Sequence, residues 1–216
     1  YTRRNRLEYE KVSDYIEKIV KGKRGNYLVF CPSYQYLREI EGILRQRWDD
    51  RPAGEETPEL MVQSSNMSEG EKEEFLTEFE NRNRSLAALC VMGGAFSEGI
   101  DLRGDKLIGV IIIGTGLPMV CTEQEILKGY FDRNEQNGFD YAYQYPGMNK
   151  VMQAAGRLIR TMDDRGIIAL LDDRFLRADY QALFPREWDE YYPVNRSQVK
   201  EVVERFWDQE GRLPPS

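Results

Sequence analysis

The sequence predicts an α/β fold, a parallel sheet with helices on both faces. Two observations carry this. Five short apolar runs, "YLVFC" (27–31), "LMVQ" (60–63), "LAALCV" (86–91), "LIGVIII" (107–113) and "GIIALL" (166–171), alternate with segments of helical spacing. The longer runs are continuously apolar, as strands covered on both faces are. Ligands of such sheets sit beyond the carboxyl ends of the strands. Three segments there have unusual compositions: "PSY" (32–34), "GGAFSEGID" (93–101) and "GTGLP" (114–118).

Taken in order, residues 5–21 place Val12, Tyr15, Ile16, Ile19 and Val20 at helical spacing. "GKRGN" (22–26) makes a turn before the first strand, which Pro32 stops. A helix with Leu37, Ile40, Ile43 and Leu44 on one side follows to about Trp48. "DDRPAGEETPE" (49–59) is a solvated loop. After the second strand, Ser68 and Glu71 form a capping box that opens a helix carrying Phe75, Leu76 and Phe79. Residues 122–147 hold a helix and the aromatic stretch "FDYAYQYPG". A helix over roughly 148–161 leads to the last strand, which ends in "DDRF" (172–175). Residues 187–209 predict a final amphipathic helix, and the end of the chain (211–216) a disordered tail.

The composition excludes several functions. Histidine is absent, so there is no Ser-His-Asp arrangement and no His-ligated metal. The net charge of -7 gives no global basic field, so any nucleic-acid contact must be local. Cys31, Cys90 and Cys121 are far apart and beside apolar runs, which predicts reduced, buried thiols of a cytoplasmic protein. No 18-residue apolar run or signal peptide is present, and no membrane partner is expected. Tyr1 rather than Met stands first, so a piece of a longer protein is expected.

Two stretches invite chemistry. In "QAAGRLIR" (153–160), Gln153, Arg157 and Arg160 fall at i, i+4 and i+7, one stripe of a helix. Gly156 beside them lowers helix propensity by about 1 kcal/mol against alanine, a loss that makes sense where something approaches the backbone closely. The arginines suit phosphate oxygens, or else ion pairs with Asp163 and Asp164. In 93–101, Gly93, Gly94 and Gly99 let backbone N–H groups approach an anion, with Ser97, Glu98 and Asp101 among them; a tight turn is the alternative. Neither G-x-G-x-x-G nor G-x-x-x-x-G-K-[ST] occurs, so a nucleotide could be touched here but not fully held.

Other signals are weaker. Ser33 and Tyr34 stand where a hydroxyl and a ring could meet a strand phosphate and a base, or where Ser33 simply caps a helix. "DDRF" reads as a magnesium pair or, better, as a capped strand end with solvated acids. The aromatic residues at 139–145 suit packing more than base stacking.

In order, "NYLVFCPSY", "GGAFSEGIDLRGDKLIGVIIIGTGLP" and "QAAGRLIR" with "DDRGIIALLDDRF" resemble the second motor domain of superfamily 2 DNA helicases, specifically the XPD/DinG branch. The resemblance covers about residues 1–185 and implies one RecA-like domain over 1–210, a P-loop-NTPase-like fold without its own P-loop. By it, "QAAGRLIR" is motif VI: Arg160 is the arginine finger, with Arg157 and Gln153 in the nucleotide cleft. "SEGID" is motif V, in which Glu98, Gly99 and Asp101 couple ATP state to DNA grip, Asp101 lying near the ribose. "PSY" is motif IV, with Ser33 and Tyr34 along single-stranded DNA, and Ser97 joins the strand contacts.

The resemblance implies ATP and Mg2+ bound mainly by a first RecA-like domain of the same polypeptide. That domain would carry the Walker A lysine, the DEAH-type acids and the family's frequent iron–sulfur cysteines, none of which is in this stretch. It further implies 5′ to 3′ unwinding, DNA repair as the setting, and negligible ATP hydrolysis by this chain alone. Two departures stand out. Met92 and Gly94 replace basic residues that some relatives carry before "SEGID", and "GTGLP" lacks an arginine found before "LP" in bacterial relatives. An RNA helicase or translocase half, or a non-motor interaction module of the same fold, are the alternatives.

Overall fold

The computed structural model describes residues 5–50, 56–80, 84–94, 96, 106–158 and 165–208. Its five strands are β1 (Asn26–Cys31), β2 (Glu59–Val62), β3 (Leu86–Val91), β4 (Gly109–Ile113) and β5 (Ile167–Leu171). All pair in parallel, in the order β2-β3-β1-β4-β5. Each predicted apolar run became a strand. The central β1 is buried along its whole length.

Alternate residues serve two cores. Leu28, Phe30, Ala88, Cys90, Val110 and Ile112 face one layer, which includes α3 (Glu69–Thr77) and α5 (Tyr145–Ala155). Tyr27, Val29, Leu89, Ile111 and Ile113 face the other, formed by α1 (Arg6–Lys21), α2 (Tyr34–Asp49) and α7 (Val199–Asp208). Burial on both faces is why the strands are apolar at successive positions. From β1 the chain passes through α2 to β2 on one side. From β4 it passes through α4 (Thr122–Arg133) and α5 to β5 on the other. The ends of β1 and β4 thus flank a topological switch point.

Local signals operate as their chemistry dictates. Asn5 caps α1, and Ser68 with Glu71 forms the predicted capping box of α3. Two helix limits differ from expectation. The final helix starts at Val199, not near 187: Pro193 cannot donate, and Asn195 draws the N–H groups of Ser197 and Gln198 into a turn first. The helix expected over 148–161 is α5, running from Tyr145 to Ala155, with Pro146 in its first turn where a missing N–H costs nothing. A π-helical turn over Asp140–Gln144 feeds directly into it. The expected tail, 211–216, lies outside the described residues.

Candidate functional site

At the carboxyl edge of the sheet, Cys31 pairs with Val91, and Ile113 with Leu171, so the loops after these strands leave from one rim. Ser33 caps α2 by accepting the N–H of Tyr36 at 3.2 Å. A hydroxyl that caps a helix still has its own proton to donate. The half-buried Tyr34 donates to the Ser64 carbonyl at 3.4 Å and accepts from Gln63 Nε2 at 3.0 Å. Gln63, itself buried, takes the Val91 N–H on Oε1 at 2.8 Å. One amide therefore joins the ends of β2 and β3 to the loop after β1. Beside it opens a groove of ≈ 550 Å³ lined by Tyr34, Leu37, Arg38, Glu41, Gln63 and Ser65.

The loop after β3 begins with Met92, whose side chain is buried in the core rather than offered to solvent. Gly93 follows with φ 74°, a left-handed conformation that glycine adopts without strain. The predicted motif V residues Ser97, Glu98, Gly99 and Asp101 lie outside the described residues, as does Arg160.

The loop after β4 is pressed onto α5. A Cβ on Gly116 (φ 67°) would stand 2.7 Å from the Gly147 carbonyl oxygen, and one on Gly147 would stand 2.5 Å from that of Thr115. This backbone-to-backbone contact pins the first turn of α5 to the carboxyl edge. The helix then runs back across the sheet. Leu158, three residues past its end, reaches Gly166 just ahead of β5.

Sequence spacing suggested one helical stripe for Gln153, Arg157 and Arg160, and the structure corrects it at Arg157. Gln153 is exposed on α5, but the helix ends at Ala155, and Arg157 lies in the turn beyond. Arg157 is half-buried, with Nε donating to the Gln153 carbonyl at 3.3 Å, so it satisfies one of the carbonyls a helix end leaves open. Gly156 is that terminus. A Cβ there would meet the Met152 carbonyl oxygen at 3.3 Å, so its smallness serves the helix end itself. Nor do Gln153 and Arg157 join the strand-end loops. From Gly147 to Arg157 the chain advances about 15 Å at helical rise, away from the carboxyl edge. Lys150, one turn from the pinned end, does stay at that edge: its Nζ lies 3.7 Å from the position a Gly93 Cβ would take.

At the end of β5, Asp172 is not a solvated acid. Its side chain is 5% exposed and grips Arg174 through two bonds, at 2.8 and 2.7 Å. Burial opposes its charge, but the Arg174 guanidinium and backbone N–H overcome it and hold the carboxyl below the ordinary range. Among the described residues, no group of three or more His, Cys, Asp or Glu is placed to hold a metal ion. The aromatic stretch packs largely on itself, with Phe131 stacked on Tyr141 at 4.1 Å. Cys31 and Cys90 are buried and their thiols are pushed well up by desolvation, whereas Cys121, expected buried, is exposed at the start of α4. No helix among the described residues is long and apolar enough to cross a membrane.

A match to the family described as "Helicase C-terminal domain" extends over residues 16–191. The chain belongs to that family. Within it the relatives are of the XPD/DinG-like kind. The ATP-dependent DNA helicase YoaA of Escherichia coli is 28% identical over 78% of this chain and 24% of its own length. The transcription and DNA repair factor IIH helicase subunit XPD/RAD3 of Saccharomyces cerevisiae is 31% identical over 69% of this chain and 19% of its own. A solved XPD helicase structure superposes with a TM-score of 0.64 at 25% identity, covering 85% of this chain and 31% of that one. The helicase C-terminal domain here thus spans a quarter or less of the two curated relatives, and its sheet is the RecA-like α/β fold of the XPD domain.

Two residues at the carboxyl edge escaped the motif search. Gln63 carried no motif, and only the paired strand ends show what it joins. Lys150 did have a signal, since it lies three residues before Gln153 and so shares its side of α5.

Proposed function

We propose that this chain is the second motor domain of an ATP-dependent DNA helicase that moves 5′ to 3′ along single-stranded DNA, in the setting of DNA repair. Its RecA-like body would span 1–210. ATP and Mg2+ would be gripped mainly by a first RecA-like domain of the same polypeptide, the domain in which the family's frequent iron–sulfur cysteines belong. This domain would close over the nucleotide with Gln153, Arg157 and the arginine finger Arg160, and with Glu98, Gly99 and Asp101 of motif V. Guanidinium forks match phosphate oxygens, and an arginine brought across an interface stabilises charge developing on the transferred phosphoryl group.

The observation that supports this reading is the exposure of Gln153 and the partial exposure of Arg157. Gln153 is exposed and Arg157 half-exposed, although the helix bearing them packs Val151, Ala154 and Ala155 into the core. A polar surface backed by a tight core suits a face that meets another domain. The strand track would lie on a different surface, the carboxyl edge, where Ser33, Tyr34 and Ser97 would follow the DNA backbone. Separate faces for nucleotide and strand let domain closure on one alter grip on the other.

The decisive experiment replaces Arg160 by alanine in a polypeptide carrying both motor domains. Loss of DNA-stimulated ATP turnover by about 10³-fold or more, with unchanged thermal stability, is expected of an arginine finger; unaltered turnover overturns the proposal. The 216-residue chain alone should hydrolyse ATP negligibly.

A further inference from the structure

We propose that Lys150 of α5 supplies a phosphate-binding cation beside Gly93 and Gly94, at the start of the loop after β3. The inference rests on reading that loop as part of the strand track. Residues 92–94, which open the loop, bring no charge of their own. Met92 is buried in the core, and Gly93 and Gly94 have no side chains. Gly93 instead makes room for one from elsewhere: Cδ and Cε of Lys150 each lie 3.4 Å from the point where a Cβ would stand, and Nζ lies 3.7 Å from it. The lysine stem thus lies over the glycine, and its ammonium group hangs at the loop.

Two further features suit an anionic ligand. Lys150 is half-buried, so its charge is less screened than that of a free surface lysine. Its base is fixed, because the Gly116–Gly147 backbone contact anchors α5 one turn earlier. A cation held at a strand end, beside a glycine pair that lets a ligand come close to the backbone, is suited to a phosphate oxygen. The phosphate belongs either to the DNA strand or to the nucleotide, and both sources are open to test.

The test uses the 216-residue chain with Lys150→Met, which keeps the stem and removes the charge, and Lys150→Arg, which keeps the charge. Binding of a fluorescein-labelled oligothymidylate is followed by anisotropy over a salt series, and binding of a fluorescent ADP analogue is measured in parallel. For a strand phosphate, Lys150→Met weakens the oligonucleotide several-fold and lowers the slope of log K against log salt by about 0.7, while Lys150→Arg restores both. For a nucleotide phosphate, only the ADP analogue weakens. If wild-type chain binds and Lys150→Met binds both ligands equally well, the role of Lys150 is overturned and the proposed function survives. A wild-type chain that binds neither ligand also overturns the role of Lys150, whereas the proposed function stands or falls with Arg160→Ala in the two-domain polypeptide. Matching thermal melts guard against a folding defect, and Lys150→Gln provides a second neutral variant.

Discussion

The side-chain amide of Gln63 donates to the Tyr34 hydroxyl at 3.0 Å while its oxygen takes the backbone N–H of Val91. A residue just beyond an edge strand thereby sets the ring that lines the groove and closes the end of its neighbouring strand. Gln63→Leu keeps the volume and removes both bonds, leaving the N–H of half-buried Val91 without that partner. The expected cost is about 1–3 kcal/mol of unfolding free energy. Denaturant titration measures it; a loss too small to detect would show that the tie carries no weight. Weaker oligonucleotide binding is expected alongside, because Tyr34 loses its orientation.

The Gly116–Gly147 contact makes a harsher prediction. In Gly147→Ala the new methyl would stand 2.5 Å from the Thr115 oxygen, and the obstacle is backbone that cannot swing aside. Destabilisation of about 1–3 kcal/mol is expected, in the range of overpacked cores. The Gly42→Ala control, with nothing within 4 Å of its Cβ position, should be neutral or slightly stabilising, as for an exposed helix glycine.

Asp172 predicts a pH dependence. Its folded pKa lies below the ordinary carboxylate value, so the stability it adds is full above that value and fades as pH falls through the folded one. Asp172→Asn should cost about 1.5–3 kcal/mol near pH 7, since it weakens the charged hydrogen bonds to Arg174. The gap between parent and variant should close in acid. Thermal melts from pH 7 down to pH 3 test this, and a constant gap would contradict it.

Thiol chemistry should distinguish the three cysteines. Cys121 is exposed, whereas Cys31 and Cys90 are buried with thiols held protonated by desolvation. One equivalent per native chain should react with an aromatic disulfide reagent, rising to three in denaturant. Cys121→Ser should abolish the native fraction.

The sequence disclosed the architecture readily, because its signals are local and repeated. Doubly buried strands must be apolar throughout, helices must show their stripe, and Ser68 and Glu71 announce a cap by spacing alone. It misled at α5. "QAAGRLIR" has helical periodicity to Arg160, yet the helix stops at Ala155, and Arg157 turns back to the Gln153 carbonyl. A glycine near a helix end can signal either continuation or termination, and nothing within eight residues decides which.

By itself the sequence determined which stretches are strands, the family to which they belong, and the lack of a phosphate-cradling loop. Those are properties of residue type and order. Only the tertiary structure decided that α5 runs from the carboxyl edge to the opposite one, that Lys150 lies over Gly93, and that Gln63 spans 28 residues to reach Val91. These are contacts between segments far apart in the chain. They depend on strand order and on backbone distances of a few ångströms, which no local pattern encodes.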